Sequence, residues 1–257
     1  MWHSYVINLE QNRARRENSR RQFTEQGVAF SVINAVNGRE LDEATVARVY
    51  DAGAARRRFK HELTRPEIGC YLSHLAAWTE IVKSGAGGGF VFEDDFEVVS
   101  PLAGILAKLS APVENGTAGW DVVKLFSLKH NPRIIASEPL IDGFQLVVPY
   151  QVPTCLLAYG IRRAAAEKLV ATALPFFRPV DEDMKFFWEK GIAVSLVSPS
   201  PVRVGDQQTV TGTIGDSRRT GHRATLGRRL ARSWKGLTYQ LRYKALLHYH
   251  RGLGLKS

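Results

Sequence analysis

Apolar and polar positions follow two different periods along the chain, and their order predicts an α/β fold. Residues 5–9 form a short apolar run typical of a buried strand, residues 11–26 a polar helix that ends at Gly27, and residues 28–36 a second strand. A strand, a helix and a strand in that order favour a parallel sheet with crossover helices. The pattern therefore predicts a mixed, mostly parallel sheet flanked by helices.

Later segments extend this alternation. Helices are predicted at 65–81, where Pro66 suits the first turn, and at 100–109 and 163–173. Further strands are predicted at 90–92, 120–126, 144–148, 155–159 and 192–197. The amphipathic run 184–190 ends at Gly191, and residues 131–143 are expected to be irregular.

Three consecutive carboxylates, Glu93, Asp94 and Asp95, follow the strand predicted at 90–92; we call them the acidic turn. Adjacent like charges disfavour one another's ionised forms unless a positive group lies between them. The carboxyl end of a strand is where open α/β sheets bind ligands, and carboxylates there suit Mg²⁺ or Mn²⁺ bound to a substrate phosphate. A solvated acidic turn explains the residues equally well at this stage.

A second acidic cluster, Asp181, Glu182 and Asp183, begins an amphipathic run. Acids in a first helical turn are ordinary partners of the helix dipole. If the fold brings this cluster to the acidic turn, a metal-bound diphosphate and a general base would share one site.

Other polar residues adjoin predicted elements. Three arginines, Arg13, Arg15 and Arg16, follow the first strand. Cations there could contact a nucleotide diphosphate, although surface arginines on a solvent-exposed helix are the more common explanation. Ser73 and His74 interrupt a largely apolar helix, a position where histidine is more often structural than a ligand.

Composition narrows the classes of protein. Hydrophobic content of 44% and charged content of 23% are ordinary for a globular chain of 257 residues, and no run approaches the ~20 apolar residues that span a bilayer. Two cysteines, Cys70 and Cys155, do not make a disulfide framework. Because the amino terminus lacks the pattern of a secretory signal, we expect a cytoplasmic location.

The net charge of +10 belongs to one end of the chain. Residues 217–257 contain eleven Lys or Arg and no acid, whereas residues 1–216 carry a net charge of −1. We therefore divide the chain into a domain at 1–216 and a basic helical tail at 217–257.

The spacing of apolar residues in the tail predicts an amphipathic helix over residues 226–250. Five large apolar side chains fall within an arc of about 80° at 100° per residue: Leu226, Leu230, Trp234, Leu237 and Leu241. Basic side chains face away from this apolar stripe. Such a helix suits an anionic membrane surface, and docking of the stripe on the core is the alternative. Nucleic-acid binding is not expected, since no reading motif adjoins the charges.

Several motifs together resemble glycosyltransferase family 25, the bacterial lipooligosaccharide glycosyltransferases related to collagen galactosyltransferase domains. They occur in order between residues 4 and 215, which makes accidental agreement improbable. The block Gly69-Cys70-Tyr71-Leu72-Ser73-His74 is the most specific. The other matches are Val6-Ile7-Asn8-Leu9 with Arg13 and Arg16, Glu67, Ile68, Trp78, the acidic turn, Asp121-Val122-Val123-Lys124-Leu125, Ala158-Tyr159-Gly160, and Pro179-Val180-Asp181 with Asp183.

The resemblance implies a GT-A type fold and inverting transfer of galactose or glucose from a UDP-sugar to a saccharide acceptor. Asp94 and Asp95 would bind Mn²⁺ or Mg²⁺, with Glu93 in support. Asp183, or else Asp181, would be the general base. Donor-site residues would be Asn8, Leu9, Arg13, Ser73 and His74.

These expectations describe a metal-dependent transferase at the inner face of the cytoplasmic membrane that extends a lipid-linked saccharide in lipopolysaccharide biosynthesis. Two rival functions use the same features. One is a metal-dependent phosphoryl hydrolase or nuclease, since paired acidic clusters also hold ions for that chemistry. The other is a membrane-surface binding module dominated by the basic tail.

Overall fold

The computed structural model describes residues 1–111, 119–129, 131–205 and 226–254, with the side chains of the last helix described over 234–252. The boundary expected between residues 216 and 217 lies outside these ranges.

The described chain contains ten strands, nine α-helices and one 3-10 turn. The strands are β1 (His3–Asn8), β2 (Phe30–Asn34), β3 (Gly88–Glu93), β4 (Phe96–Val98), β5 (Val122–Lys124), β6 (Ile134–Ile141), β7 (Phe144–Pro149), β8 (Ala158–Arg162), β9 (Val194–Ser198) and β10 (Val202–Val204). The helices are α1 (Arg13–Glu25), α2 (Glu43–Val49), α3 (Ala52–Arg58), α4 (Arg65–Lys83), α5 (Leu102–Ser110), α6 (Arg163–Thr172), α7 (Val180–Lys185), α8 (Phe187–Lys190) and α9 (Leu226–Gly254), with a 3-10 turn at Gly38–Glu40.

Eight of the described strands form one sheet in the order β2-β1-β3-β8-β5-β9-β7-β6, and β4 pairs with β10 in a second, two-stranded sheet. Strand pairing makes β7 and β8 antiparallel to the other six strands of the large sheet. The expected α/β fold, a mixed and mostly parallel sheet flanked by helices, is confirmed.

Strand direction brings four chain segments to the end of the sheet where most strands terminate, which we call its carboxyl edge. Asn8 ends β1, Glu93 ends β3 and Lys124 ends β5, while the antiparallel β8 begins there at Ala158. Pairing of Ile7 with Glu93 keeps β1 and β3 in register at that edge. Polar residues that are far apart in sequence can therefore meet at this edge.

The two faces of the sheet bury different helices, because successive strand residues point to opposite sides. Tyr5, Ile7 and Val91 pack in a cluster with α4, α6 and α7. Val6 and Phe92 pack in a second cluster with α1 and α5. Both faces are thus covered, as a mostly parallel sheet requires.

Three segments differ from the sequence-based expectation. Residues 131–143 contain β6, which pairs with β7 as the outermost strand of the sheet; none of its residues is buried, so it lacks a buried apolar pattern. The strand predicted at 155–159 begins only at Ala158, because Cys155 has a left-handed backbone, with φ of 68°. The amphipathic run near 184–190 is split between α7 and α8 at Phe186.

Helix α9 docks on the domain with a face that the sequence did not single out. Tyr239, Tyr243 and Leu247 are buried in the cluster around α4 and α7. The described members of the apolar stripe, Trp234, Leu237 and Leu241, are exposed. No helix in the described ranges is long and apolar enough to cross a membrane.

Helix α4 is fixed at its start and along one side. Thr64 and Glu67 form a reciprocal capping box, and Pro66 lies in the first turn. One turn later Gly69 lies against the backbone of the 3-10 turn: a Cβ there would come within 2.5 Å of the Gly38 nitrogen and of the Val36 carbonyl oxygen. Only glycine allows this approach.

We expect Gly69→Ala to lower the free energy of unfolding by about 1–3 kcal/mol, because backbone atoms cannot yield to the added methyl group as a flexible side chain would. Gly236→Ala in α9 is the matched control, since no atom lies within 4 Å of its would-be Cβ. Urea unfolding followed by circular dichroism measures both variants. Equal midpoints for Gly69→Ala and the wild type would contradict the prediction.

Candidate active site

The carboxylate of Asp94 lies between an amide and a guanidinium. Asn8 donates from Nδ2 to Asp94 Oδ2 over 2.6 Å, and Arg15 of α1 donates from Nη1 to Oδ1 over 3.0 Å. Burial raises the pKa of Asp94, and the charge of Arg15 opposes that shift. Within the described chain no hydrogen bond reaches the buried Oδ1 of Asn8. This oxygen can therefore accept a hydrogen bond from a ligand.

His74 joins the acidic turn to β8. Its Nε2 lies 3.2 Å from Glu93 Oε1, and its Nδ1 lies 2.9 Å from the Tyr159 hydroxyl. Trp78 donates to the same hydroxyl over 2.8 Å. Because that oxygen accepts from Trp78, its proton can be donated to His74 Nδ1, which leaves Nε2–H to donate to Glu93.

Lys124 lies fully buried beneath this edge and holds the segment that leads into β8. Its Nζ donates to the carbonyl oxygens of Pro153, at 2.6 Å, of Thr154, at 3.0 Å, and of Cys155. Burial lowers the pKa of Lys124 to about 8, although Asp181 and Glu93 oppose the shift. The ammonium group therefore fixes a turn whose third residue has the left-handed backbone.

Asp181 continues this arrangement on α7. Its Oδ2 accepts the backbone N–H of Cys155 over 3.0 Å, and its Oδ1 accepts that of Glu182 over 2.8 Å. Desolvation raises the pKa of Glu93, and the negative charges of Asp95 and Asp181 raise it further. Asp181 and the acidic turn thus belong to one electrostatic site, assembled from residues nearly ninety positions apart.

Asp183, on the same helix, contacts different residues from those that Asp181 contacts. Its Oδ1 accepts from both Nε and Nη2 of Arg178, at 3.0 and 2.5 Å, and its Oδ2 accepts from the Tyr71 hydroxyl over 2.9 Å. Arg178 also donates to Glu189. Asp183 therefore joins α7 to α4, and the two acids of one helical turn face different partners.

The remaining candidates occupy varied positions. Ser73 accepts from the Val36 nitrogen and donates to the Gly69 carbonyl, so both functions of its hydroxyl serve the packing of α4. Leu9 is half-buried after β1, and Arg13 is exposed at the start of α1. Asp95 is buried, and its carbonyl accepts from the Gly205 nitrogen over 2.7 Å.

Sequence reasoning included three residues at this edge in motifs or charge clusters but did not select them as site residues. Lys124 interrupts an apolar strand pattern, which is a usable signal because lysine is seldom fully buried without partners. Tyr159 lies within an apolar run and carries no such signal. Arg15 was one of three neighbouring arginines, and only the geometry of α1 distinguishes it by directing it to Asp94.

The residues present fit a divalent cation. Asp94 and Asp95 supply hard oxygen ligands of the kind that Mg²⁺ and Mn²⁺ prefer, and Asn8 with Arg15 orients the first of these carboxylates. Burial is the largest cause of the raised pKa of Glu93, and a cation would offset the negative charges of Asp95 and Asp181 that add to it. A second donor set, from Cys70, His74 and Glu93, has ligand atoms within 4.8 Å of one another, but its sulfur and nitrogen suit softer ions.

Comparisons with known proteins identify relatives of this chain. The family described as "Glycosyltransferase family 25 (LPS biosynthesis protein)" matches residues 1–184. A human protein named inactive glycosyltransferase 25 family member 3 is 30% identical over 195 residues, covering 72% of this chain and 31% of its own. Procollagen galactosyltransferase 1 of Danio rerio is 28% identical over 203 residues, covering 77% and 33%. The chain spans about a third of the length of these relatives.

Among solved structures, the inositol-1-phosphate CTP transferase from T. maritima aligns over 76% of this chain and 84% of its own at 12% identity. Its TM-score of 0.38 is too low to carry an argument about this chain.

We expect Lys124→Met to lower stability by roughly 2–4 kcal/mol, because three backbone carbonyls lose their donor. The loss should depend on pH. Lys124 has a pKa of about 8 when folded and 10.5 when unfolded, so between these values the unfolded chain binds more protons and wild-type stability rises with pH. The variant lacks that contribution, so the difference in unfolding free energy between it and the wild type should widen from about pH 8 upward.

Urea unfolding of the wild type and of Lys124→Met near pH 7 and near pH 10 measures this difference. Lys108→Met, at an exposed position of α5, is the control and should follow the wild type at both values. Parallel pH profiles of Lys124→Met and the wild type would refute the proposed burial of the charge.

Proposed function

Because the chain belongs to glycosyltransferase family 25, we propose that it transfers a hexose, galactose or glucose, from a UDP-sugar to a saccharide acceptor with inversion at the anomeric carbon. The activity of the whole protein is part of the proposal, since some relatives carry names that call them inactive and the chain spans only part of their length.

The observation that carries the proposal is the arrangement at the carboxyl edge of the sheet, where Asn8 and Arg15 hold Asp94, and where Asp181 accepts the N–H of Cys155 close enough for its charge to act on Glu93. Ligands of open α/β sheets bind at that edge. Asn8 offers a buried acceptor there, and Arg15 brings a cation next to Asp94. A nucleotide diphosphate carries an N–H donor on its base for such an acceptor and a negative charge for such a cation.

We assign the metal to Asp94 and Asp95, with Glu93 in support, as the donor chemistry of the acidic turn favours. A bound Mn²⁺ or Mg²⁺ would stabilise the negative charge that accumulates on the departing UDP. Asn8 and Arg15 would orient Asp94, and His74 would orient Glu93 by donating from Nε2. Leu9, Arg13 and Ser73 remain proposed donor-site residues, and Ser73 would act by fixing α4.

The geometry favours Asp181 over Asp183 as the general base, the reverse of the order inferred from sequence. The charge of Asp181 acts on Glu93, and in its described contacts Asp181 accepts only backbone N–H groups. Asp183 accepts from Arg178 and Tyr71. The acceptor oxygen would attack the anomeric carbon while Asp181 takes its proton, and the bond from that carbon to the UDP oxygen would break.

The acceptor and location complete the proposal. We infer a lipid-linked saccharide in lipopolysaccharide biosynthesis, extended by a cytoplasmic enzyme at the inner face of the membrane. The family description supports this role, and the basic tail suits an anionic lipid surface.

Incubation of the protein with Mn²⁺ and a panel of UDP-, GDP- and CMP-sugars should release UDP from UDP-galactose or UDP-glucose in an acceptor-dependent reaction. Asp94→Asn with Asp95→Asn should abolish release while circular dichroism still reports the folded protein; the unfolding midpoint should fall modestly, because Arg15 loses its carboxylate partner. Release of UDP by the double variant at the wild-type rate would contradict the metal assignment. Cleavage of nucleotide triphosphates or nucleic acid in place of sugar donors would favour the hydrolase.

A pair of variants separates the two acids of α7. Asp181→Asn should reduce turnover by roughly 100-fold or more with little change in donor affinity or stability. Asp183→Asn should instead lose about 2–3 kcal/mol of stability, because it removes one of the two carboxylate partners of the buried Arg178 and the charged acceptor of Tyr71, while Glu189 stays paired with Arg178. Stability comes from urea unfolding, and turnover from UDP release. The reverse outcome, with stability lost in Asp181→Asn alone, would return the base to Asp183.

A further inference from the structure

Helix α9 has two apolar faces with different surroundings. On the docked face Tyr239 is 7%, Tyr243 1% and Leu247 2% exposed. On the other face Trp234 is 69%, Leu237 51% and Leu241 58% exposed. At 100° per residue the centres of these two faces lie about 150° apart. Since the core already packs against the first face, the second has no partner among the described residues.

Specific contacts hold the docked face in place. The Tyr239 hydroxyl donates to Glu182 Oε2 over 2.9 Å, and Glu182 also pairs with Lys60 and Lys185. At the far end of the helix Arg251 donates to the carbonyl oxygens of Tyr150 and Pro149. The exposed face therefore cannot turn inward to bury its tryptophan and leucines without breaking these bonds.

Charge decides what can cover the exposed face. Helix α9 contains seven Lys or Arg residues and no acid. Lys235 and Arg242 lie on one side of the exposed stripe and Lys244 on the other, at the helical spacing of this sequence. A second copy of the helix would bring like charges together. The surface of an anionic membrane offers acyl chains to the apolar side chains and negative head groups to the basic side chains beside them.

We propose that the exposed face of α9, formed by Trp234, Leu237 and Leu241 and flanked by basic side chains, binds the surface of a membrane that contains anionic lipid. The apolar side chains enter the interface, and the Lys and Arg side chains contact the head groups. Because Glu182 adjoins Asp181, the bound helix would lie beside the segment that carries the proposed base. This inference does not require glycosyl transfer, because binding is measured without donor or acceptor.

Co-flotation of the full chain with vesicles tests the proposal. We expect binding to vesicles of phosphatidylcholine mixed with phosphatidylglycerol, and little binding to phosphatidylcholine alone. The triple variant Trp234→Ser, Leu237→Ser, Leu241→Ser should reduce the partition coefficient by about tenfold or more. Because all three side chains are exposed, its circular dichroism and unfolding midpoint should match those of the wild type.

The matched control is Leu128→Ser with Leu174→Ser, which removes exposed apolar side chains from outside α9 and should bind as the wild type does. Arg242→Gln with Lys244→Gln should weaken binding to anionic vesicles by roughly fivefold for each charge removed. Brominated acyl chains should quench Trp234, seen as the difference between the wild type and Trp234→Phe.

Two outcomes would overturn the proposal. One is binding of the triple variant equal to that of the wild type. The other is a wild-type dimer in sedimentation that the triple variant loses, with no vesicle binding by either protein, since that result would make a second copy the occupant of the face.

Discussion

A single buried ammonium group holds the candidate site together. Lys124 ends a central strand and donates to three successive carbonyl oxygens, and the last residue of that turn, Cys155, donates its own N–H to Asp181. The position of Asp181 thus depends on a lysine that contacts no carboxylate directly in its described hydrogen bonds. Burying such a charge costs free energy unless it is well solvated by the protein, and here the backbone carbonyls provide that solvation. The lowered pKa of Lys124 is the remaining sign of that cost.

Around this point the fold separates acids that look equivalent in sequence. Asp94 is paired with Arg15 and Asp183 with Arg178, whereas Glu93 accepts a hydrogen bond from His74. Asp181 receives only backbone donors in its described contacts. A carboxylate with a fixed cationic partner is a weaker proton acceptor than one without it. The division of labour proposed for the site follows from these pairings, with an ion-binding turn on one side and a proton acceptor on the other.

Sequence patterns predicted the parts of the molecule that are governed by local periodicity. The first strand, α4 with its proline, and the strand that places the acidic turn at the carboxyl edge of the sheet all follow from apolar spacing and strand direction. Edge strand β6 was missed because exposed side chains leave no such pattern. The pairing of Asp183 with Tyr71 joins residues more than a hundred positions apart, and the docked face of α9 depends on the shape of the surface beneath it. Local periodicity carries no information about either contact.

The docking of α9 has a geometrical consequence. A domain tethered to a surface by a flexible segment samples many orientations, whereas a domain with a rigidly packed helix meets a flat surface along the outer face of that helix. Any surface that engages Trp234, Leu237 and Leu241 therefore sets the tilt of the whole sheet and the height of its carboxyl edge. An acceptor anchored in the same surface would be reached only when its sugar chain extends to that height. The docked position of the helix would then determine how long the sugar chain of an acceptor must be to reach the site.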